Sequence, residues 1–142
     1  MCIRDRSKAA EQDIIIMTAA VADFCPSHPA DEKIKKNDSS YESVIELERT
    51  EDILSYLGAH KTKGQLICGF SMETQNMLEN SKAKLAKKNA DMIVANNLKV
   101  AGAGFGTDTN VVTLITADDC TELEIMDKSC VAARIMDRLL QM

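Results

Sequence analysis

The residues with the clearest potential for chemistry are three lysines that lie close together: Lys33, Lys35 and Lys36. A lysine ammonium group is a mobile point charge that can follow and neutralise a phosphoryl group. A run of lysines is also typical of a solvated surface, and the residues alone leave both interpretations open. Asp23, ten residues before Lys33, is either a loop cap that binds its own backbone or a polar contact to a ligand.

A second group of lysines follows a helical spacing. Lys84 and Lys88 are four residues apart, so they share one face of a helix. Lysines near the carboxyl end of a helix also interact favourably with its dipole and keep the surface soluble. The spacing therefore fits both a ligand site and an ordinary solvated helix end.

The glycine-rich segment from Gly102 to Gly106 has the spacing GxGxG, and a predicted strand follows it. A dinucleotide-binding turn has the spacing GxGxxG and opens a helix. The segment is therefore predicted to be a flexible loop that closes over a site, or a plain turn. His28 and His60 lie in unrelated segments, and we assign neither a role.

A strand is predicted from Asp13 to Ala19, and both Asp23 and the cluster of Lys33, Lys35 and Lys36 follow it. Its apolar residues predict burial on both faces, as in a parallel sheet, and the small residues at its end allow another molecule to approach the backbone. Two prolines predict a loop from Cys25 to Ala30. The alternation from Ser43 to Glu48 predicts a second strand with one solvated face. An anion site is therefore predicted beside the end of a strand.

Helices and strands alternate along the rest of the chain. Thr50 is predicted to cap a helix that ends near His60. Further strands are predicted at Gln65–Gly69, Asp91–Ala95, Val111–Thr116 and Glu122–Met126. Two more helices are predicted, one that follows Phe70–Glu73 and ends near Lys88, and one over Ser129–Met142. The buried side of the last helix is predicted to carry Val131, Ile135, Leu139 and Leu140.

This alternation predicts an α/β fold with an open, mostly parallel sheet and flanking helices. Ligands bind such sheets at the carboxyl ends of the strands. Three predicted loops fall at that edge: Ala19–Lys36, Phe70–Glu73 and Asn96–Asn110. We expect a single domain over residues 7–142, in which residues 7–12 form the last turn of a helix. We expect residues 1–6 to be a leader that is not native to this domain, because they are charged and lead into no periodic pattern.

The composition excludes several classes of function. A net charge of −5 argues against a general nucleic-acid binder, which needs a basic surface. No apolar run approaches the roughly 20 residues that a membrane helix needs. The five cysteines are widely spaced without a CxxC pair, so zinc is not expected. We interpret them as reduced thiols of a cytoplasmic protein, with Cys68 as a small core residue.

Five motifs together resemble a known family. In family order they are AAVADF (Ala19–Phe24), EKIKK (Glu32–Lys36), GFSMET (Gly69–Thr74), KNADMIVANN (Lys88–Asn97) and GAGFGTDTNVVTLI (Gly102–Ile115). From about Ala10 to its end, the chain resembles the bacterial phosphopantothenate–cysteine ligases of coenzyme A biosynthesis. The resemblance implies a Rossmann-like sheet that is incomplete at the N-terminus, because the family's opening strand and glycine-rich turn have no counterpart here.

The resemblance also implies a reaction without a protein nucleophile. The carboxylate of 4′-phosphopantothenate attacks the α-phosphate of CTP and pyrophosphate leaves. The amine of L-cysteine then attacks the acyl-cytidylate and CMP leaves. The family resemblance further implies Mg²⁺ on the triphosphate and a homodimer with substrate near the subunit boundary. In bacteria it also implies a preceding FMN-dependent decarboxylase domain on the same chain.

Position by position, the resemblance assigns nucleotide contacts to Ala19, Asp23, Lys33, Asp52, Ile53, Phe70, Lys84 and Lys88. Lys33 carries the catalytic role by neutralising the phosphates, Phe70 lines the base pocket, and no metal ligand is assigned. Glu51 stands where the family often has a proline, which weakens the backbone contacts expected at Asp52 and Ile53. We expect this chain alone to be inactive or nearly so. The alternatives are a nucleotide-binding and dimerisation module without turnover, and an NAD-binding Rossmann domain.

Overall fold

The computed structural model describes residues 2–33, 44–72, 76–97, 100, 103, 104 and 106–142. The helices in these residues are α1 (Cys2–Ala9), α2 (Ile53–Ala59), α3 (Met77–Lys88) and α4 (Lys128–Leu140). The strands are β1 (Ile14–Met17), β2 (Phe24–Pro26), β3 (Leu47–Arg49), β4 (Leu66–Met72), β5 (Met92–Asn96), β6 (Thr109–Asn110), β7 (Val112–Ile115), β8 (Cys120–Glu122) and β9 (Met126–Asp127).

The chain forms two compact units. The first, called the sheet unit, comprises Met1–Thr18 and Ile53–Met142. The second, called the hairpin unit, is Ala19–Asp52. The sheet unit holds all four described helices, whereas the hairpin unit holds β2 and β3.

The sheet unit is built on five strands in the order β1–β4–β5–β7–β8. β1, β4 and β5 run parallel, while β7 is antiparallel to β5 and β8 is antiparallel to β7. Four strands of this sheet therefore point the same way and β7 opposes them. The predicted α/β fold with an open, mostly parallel sheet is confirmed. β7 can oppose β5 because an antiparallel neighbour needs no crossover helix.

The carboxyl ends of β4 and β5 lie level, with Met72 opposite Asn96. We call this end of the sheet the carboxyl edge. The last residue of β1, Met17, lies opposite Gly69. Residues 70–72 of β4 therefore extend beyond the end of β1, at the edge where parallel sheets bind ligands.

Both faces of the sheet are covered by apolar side chains. One core cluster lies under α4 and consists of Cys68, Met92, Val94, Val112, Leu114, Val131, Ile135 and Leu139. The other lies under α2 and consists of Ile53, Leu57 and Ile67. Ile67 and Cys68 are neighbours on β4 and face opposite sides, as the alternation of a strand requires. The predicted core position of Cys68 is confirmed.

Two predictions of burial are wrong. Leu140 is 71% exposed, because it lies one residue beyond buried Leu139 and therefore about 100° further around α4. β1 is half-buried along its length, although its apolar run predicted two covered faces. Among the described residues β1 pairs with β4 alone. An apolar run shows that a strand is covered, but it does not show how many strands flank it.

The N-terminal helix is longer than predicted. The sequence predicted the last turn of a helix at residues 7–12 and no element before it, whereas α1 begins at Cys2 and ends at Ala9. Gln65, which is 4% exposed, ties this helix end to the start of β4. Its Nε2 donates to the carbonyl oxygens of Ala9 and Gln12 at 2.6 Å each. The assignment of residues 1–6 as a non-native leader stays a prediction.

The hairpin unit differs from its prediction. β2 and β3 form an antiparallel ladder in which Pro26 lies opposite Leu47. The predicted loop at residues 25–30 therefore begins two residues too early, and the strand predicted at residues 43–48 lies later and is exposed throughout. Pro26 fits at this position because it ends a two-stranded ladder and needs no second partner strand.

Thr50 does not cap α2. Its amide donates to the Asp23 carbonyl oxygen at 3.0 Å, and its Oγ1 donates to the Ala22 carbonyl oxygen at 2.5 Å. α2 begins only at Ile53. The predicted helix is present and ends one residue before its predicted end, but the predicted cap is wrong because Thr50 joins two segments of the hairpin unit instead.

α3 ends at Lys88, as predicted, and Asn89 adopts the left-handed conformation with φ 49° that often follows a helix. The loop predicted at residues 70–73 is wrong over residues 70–72, which continue β4, and α3 begins at Met77, later than predicted. The strand predicted at residues 122–126 is replaced by the two short strands β8 and β9. These corrections concern the ends of elements and short strands, where an apolar pattern carries little information.

Candidate functional site

The eight residues predicted to contact a nucleotide are divided equally between the two units. The hairpin unit holds Ala19, Asp23, Lys33 and Asp52, and the sheet unit holds Ile53, Phe70, Lys84 and Lys88. In the sheet unit, α3 starts beyond the carboxyl end of β4 and leads back to the amino end of β5. Side chains on a helix lean toward its N-terminus, so those of α3 lean toward the carboxyl edge.

Lys84 reaches the carboxyl edge from α3. Its Nζ donates a hydrogen bond to the Phe70 carbonyl oxygen at 2.8 Å, and both residues are half-buried. An ammonium group has three donors, so this bond leaves capacity for a ligand. The contact brings together two residues that the sequence predicted to bind one nucleotide. The bond is made to the backbone of Phe70, whereas the Phe70 side chain packs beside the core cluster under α4. The lysine supplies a positive charge, which suits a phosphate.

Lys88 is held against α2. Its Nζ donates to Ser55 Oγ at 3.0 Å. The two helices touch through Gly58, because a Cβ built there would lie 1.8 Å from the Lys88 carbonyl oxygen. Asn89 Nδ2 donates to the Gly58 carbonyl oxygen at 2.8 Å. The position of Lys88 therefore depends on the close approach of α2 and α3, which only glycine permits at residue 58.

The side chain of Ile53 lies in the core and is not available to a ligand. It is 3% exposed and packs with Leu57 and Ile67 under α2. The sequence predicted that the backbone of Ile53 contacts the nucleotide, and this contact stays a prediction. Its position as the first residue of α2 leaves its amide without a partner inside the helix.

In the hairpin unit the predicted residues are exposed. The Ala19 carbonyl oxygen accepts from the Val21 amide at 3.1 Å, and the Asp23 carbonyl oxygen accepts from the Thr50 amide. These bonds order the chain around Asp23 without using its carboxylate. Lys33 is exposed, whereas Lys35 and Lys36 lie outside the described residues. The three-lysine cluster and the catalytic role of Lys33 stay predictions.

A group of polar side chains at the carboxyl edge was missed by the sequence analysis. It consists of Ser71, Ser81, Asn96 and Asn110. Asn110 Nδ2 donates to Asn96 Oδ1 at 2.8 Å, and the hydroxyls of Ser71 and Ser81 lie 2.9 Å apart. The signal available in the sequence was that Asn96 and Asn97 stand at the end of a buried strand. The sequence did not identify the hydrogen-bond partner of Asn96, because Asn110 lies 14 residues away.

The glycine-rich loop lies only partly within the described residues, since residues 101, 102 and 105 fall outside them. Gly104 and Gly106 have φ angles of 105° and 73°, which L side chains rarely adopt. The loop leads into β6 and β7 and not into a helix. The prediction that a strand follows it is confirmed, and this arrangement differs from that of a dinucleotide-binding turn.

Asp91, which is half-buried, interacts with the start of β4 near the buried residue Cys68. Asp91 Oδ2 accepts the Ile67 amide at 2.7 Å, and its Oδ1 accepts from Lys61 Nζ at 2.5 Å. Burial and, secondarily, the Asp91 charge raise the pKa of the Cys68 thiol to about 12. The Cys68 thiol is therefore neutral near pH 7, and it differs from a reactive cysteine, whose pKa is lowered.

Two kinds of feature are absent from the part of the chain that the structure describes. Within it, no three His, Cys, Asp or Glu side chains are grouped so that they could hold a metal ion. No helix there is long and apolar enough to cross a membrane. A groove of about 390 Å³ lies between β8 and α4, and none of its lining residues is a predicted site residue. Its walls carry both signs of charge, including Arg134 and Glu122.

Comparison with known proteins adds to this geometry. Residues 1–142 match the model of a family described as the DNA/pantothenate metabolism flavoprotein C-terminal domain. The coenzyme A biosynthesis bifunctional protein CoaBC of Bacillus subtilis is 48% identical over 128 residues, which cover 89% of this chain and 31% of that protein. A cysteine/cysteine sulfinic acid decarboxylase from an unknown prokaryotic organism is 47% identical over 131 residues, covering 92% of this chain and 36% of that protein.

A solved structure of the C-terminal domain of a coenzyme A biosynthesis bifunctional protein CoaBC is also similar. It has a TM-score of 0.77 at 39% identity and covers 99% of this chain and 61% of that one. The chain spans about a third of the length of the curated relatives it matches. The similarity over the whole chain confirms the resemblance seen in the motifs, and the chain belongs to the family of DNA/pantothenate metabolism flavoprotein C-terminal domains.

Proposed function

We propose that this chain supplies part of the nucleotide site of a phosphopantothenate–cysteine ligase of coenzyme A biosynthesis. The observation that carries the proposal is the 2.8 Å hydrogen bond from Lys84 Nζ to the Phe70 carbonyl oxygen at the carboxyl edge. Ligands of open α/β sheets bind at this edge. The relative named for coenzyme A biosynthesis, at 48% identity, supports the choice of pathway.

The nucleotide is proposed to be CTP. Its base would lie against Phe70, and its phosphates would lie toward Lys84 and Lys88. On the family resemblance alone, Lys33 is proposed to neutralise the charge that develops on the α-phosphate. Ammonium groups suit this task, because they are mobile point charges that can follow a phosphoryl group.

The reaction proceeds in two displacements. A carboxylate oxygen of 4′-phosphopantothenate attacks the α-phosphorus of CTP, and the bond to pyrophosphate breaks. The neutral amine of L-cysteine then attacks the acyl carbon, the bond to CMP breaks, and the nitrogen loses one proton. The residues of the protein contribute positioning and charge neutralisation, and none of them forms a covalent bond to the substrates.

Mg²⁺ is proposed to arrive with the triphosphate. Its preferred ligands are phosphate oxygens and water, and the described residues offer lysines at the site and no cluster of carboxylates. In the whole protein we further propose a homodimer with substrate near the subunit boundary, a cytoplasmic location and an FMN-dependent decarboxylase domain on the same chain. The bifunctional name of the CoaBC relatives supports the last of these.

We expect the 142-residue chain to bind CTP but to catalyse little or no ligation by itself. β1 is half-buried and, among the described residues, has a single neighbour. The matched relatives are about three times as long. A site that lacks part of its walls loses the positioning on which this chemistry depends.

Binding is tested by titrating Mg·CTP into the chain in a calorimeter and by thermal unfolding. At a CTP concentration 100 times its Kd, linkage predicts a stabilisation of about 2.7 kcal/mol. Lys84→Ala is expected to weaken binding about tenfold, which is ~1.4 kcal/mol. Lys82→Ala, an exposed lysine of the same helix, is the matched control and should bind as the unchanged chain does. NADH should cause no shift, and an NADH shift without a CTP shift would favour an NAD-binding domain.

Turnover distinguishes a ligase from a binding module. The full-length protein is supplied with CTP, 4′-phosphopantothenate and L-cysteine, and 4′-phosphopantothenoylcysteine is measured by mass spectrometry. Binding of CTP without product in the full-length protein would favour the module. Undiminished turnover by the 142-residue chain would overturn the expectation that this part is inactive alone.

A further inference from the structure

We infer that Asn96 and Asn110 are a positioning pair that holds the carboxyl end of β4, and with it Phe70 and Lys84, in the arrangement that binds the nucleotide. The inference rests on the proposed function and adds to it. Neither asparagine is among the residues predicted to contact the nucleotide. Both are half-buried at the carboxyl edge.

The amide of Asn110 has one orientation. Its Oδ1 accepts from the Val111 amide at 3.0 Å, so its Nδ2 faces the other way and donates to Asn96 Oδ1 at 2.8 Å. The Asn97 amide donates to the Val111 carbonyl oxygen at 3.1 Å. These bonds tie the end of β5 to the start of β7 and orient the Asn96 amide, whose Nδ2 is turned toward β4.

Asn96 then acts on β4. Its Nδ2 donates to the Ser71 carbonyl oxygen at 3.5 Å. A bond at this distance is weak, so its contribution depends on Asn96 being held in place by Asn110. Loss of the Asn110 donor would free the Asn96 side chain to rotate. The Ser71 carbonyl would then lose its contact from the β5 side.

The same stretch of β4 is held from α3 on its other side. The hydroxyls of Ser71 and Ser81 lie 2.9 Å apart, and the residues are 4% and 0% exposed. Lys84, three residues after Ser81, donates to the Phe70 carbonyl oxygen. Residues 70 and 71 are therefore clamped between α3 and the asparagine pair. Removing one side of the clamp shifts Phe70 and Lys84 without removing either from the chain.

The test is a double-mutant cycle on the 142-residue chain with Mg·CTP as the ligand. Asn96→Ala and Asn110→Ala are each expected to raise the Kd about tenfold. The double variant should also lose about tenfold and not a hundredfold, because residues that act through one another are not additive. Thr121→Val, which removes a 2.8 Å hydrogen bond to Asp119 at the far edge of the sheet, is the control and should leave the Kd unchanged.

A merely structural role is separated from a positioning role by measuring the Kd at a temperature where every variant is fully folded. Amide NMR signals of Phe70 and Ser71 should move in both asparagine variants and not in the control. Asn110→Ser, which keeps a short acceptor for the Val111 amide, replaces Asn110→Ala if that variant does not fold. It should show the same loss of affinity.

The outcomes separate this inference from the proposed function. If the unchanged chain does not bind Mg·CTP, the proposed function fails. If it binds but both asparagine variants bind equally well, the positioning inference fails and the proposed function stands. If the double variant loses affinity for Mg·CTP additively, by about a hundredfold, the two asparagines act independently, and the inference that they act as a pair fails.

Discussion

Gly58→Ala is expected to destabilise the chain by about 2 kcal/mol, although alanine is the better helix former. The added Cβ would lie 1.8 Å from the Lys88 carbonyl oxygen and 2.9 Å from its carbon. Ordinary contact starts near 3.4 Å, so α2 and α3 would have to separate by more than 1 Å. That movement also stretches the 2.8 Å bond from Asn89 to the Gly58 carbonyl, worth about 1 kcal/mol. Overpacking costs about 1–3 kcal/mol, and the gain of roughly 1 kcal/mol in helix propensity offsets part of it.

Urea unfolding followed by circular dichroism measures this difference. Gly64→Ala is the matched control, because nothing lies within 4 Å of its added Cβ and its φ is +82°. Its cost is that of the local backbone alone, about 1–2 kcal/mol. Gly58→Ala should in addition weaken CTP binding through Lys88, whereas Gly64→Ala should not. If Gly58→Ala stabilises the chain by the propensity term alone, the close approach of α2 and α3 is refuted.

Two substitutions and one labelling experiment test the contacts that support the sheet. Gln65→Leu should lower the free energy of unfolding by about 2–3 kcal/mol, because two carbonyls at the end of α1 lose their donor; an unchanged urea midpoint would contradict this. Asp91→Asn should cost about 2 kcal/mol by thermal unfolding, since it breaks the ion pair with Lys61, and a cost near zero would show that the pair is not formed. The Cys68 thiol, with a pKa raised from 9.0 to about 12, should resist alkylation near pH 8 while exposed Cys130 reacts, as read by mass spectrometry. The stability that the folded chain gains by keeping the Cys68 thiol neutral is present below pH 9 and is lost as pH rises toward 12. Equal labelling of Cys68 and Cys130 would refute the burial of Cys68.

The architecture and part of the site were predictable from local patterns. Apolar runs separated by amphipathic segments predicted the α/β sheet, and the spacing of Lys84 and Lys88 placed them correctly on one helix. The carboxyl edge followed from the rule that parallel strands end together. These features depend on residues that are close in the sequence, so one sequence is enough to predict them.

The remaining features depend on contacts between distant residues. The half-burial of β1 is set by which strands flank it, and the role of Gly58 is set by the position of α3. The asparagine pair arises because the register of β5 and β7 places Asn96 opposite Val112, which brings Asn110 within reach. No periodic pattern contains this information, since register is decided by the fold as a whole.

Binding of a nucleoside triphosphate at the carboxyl edge of this sheet is tested by amide NMR spectra of the labelled chain, recorded during titration with Mg·CTP. We expect the largest shifts at Phe70, Ser71, Lys84 and Lys88. Shifts confined to the groove between β8 and α4, or none at saturating CTP, would contradict this expectation.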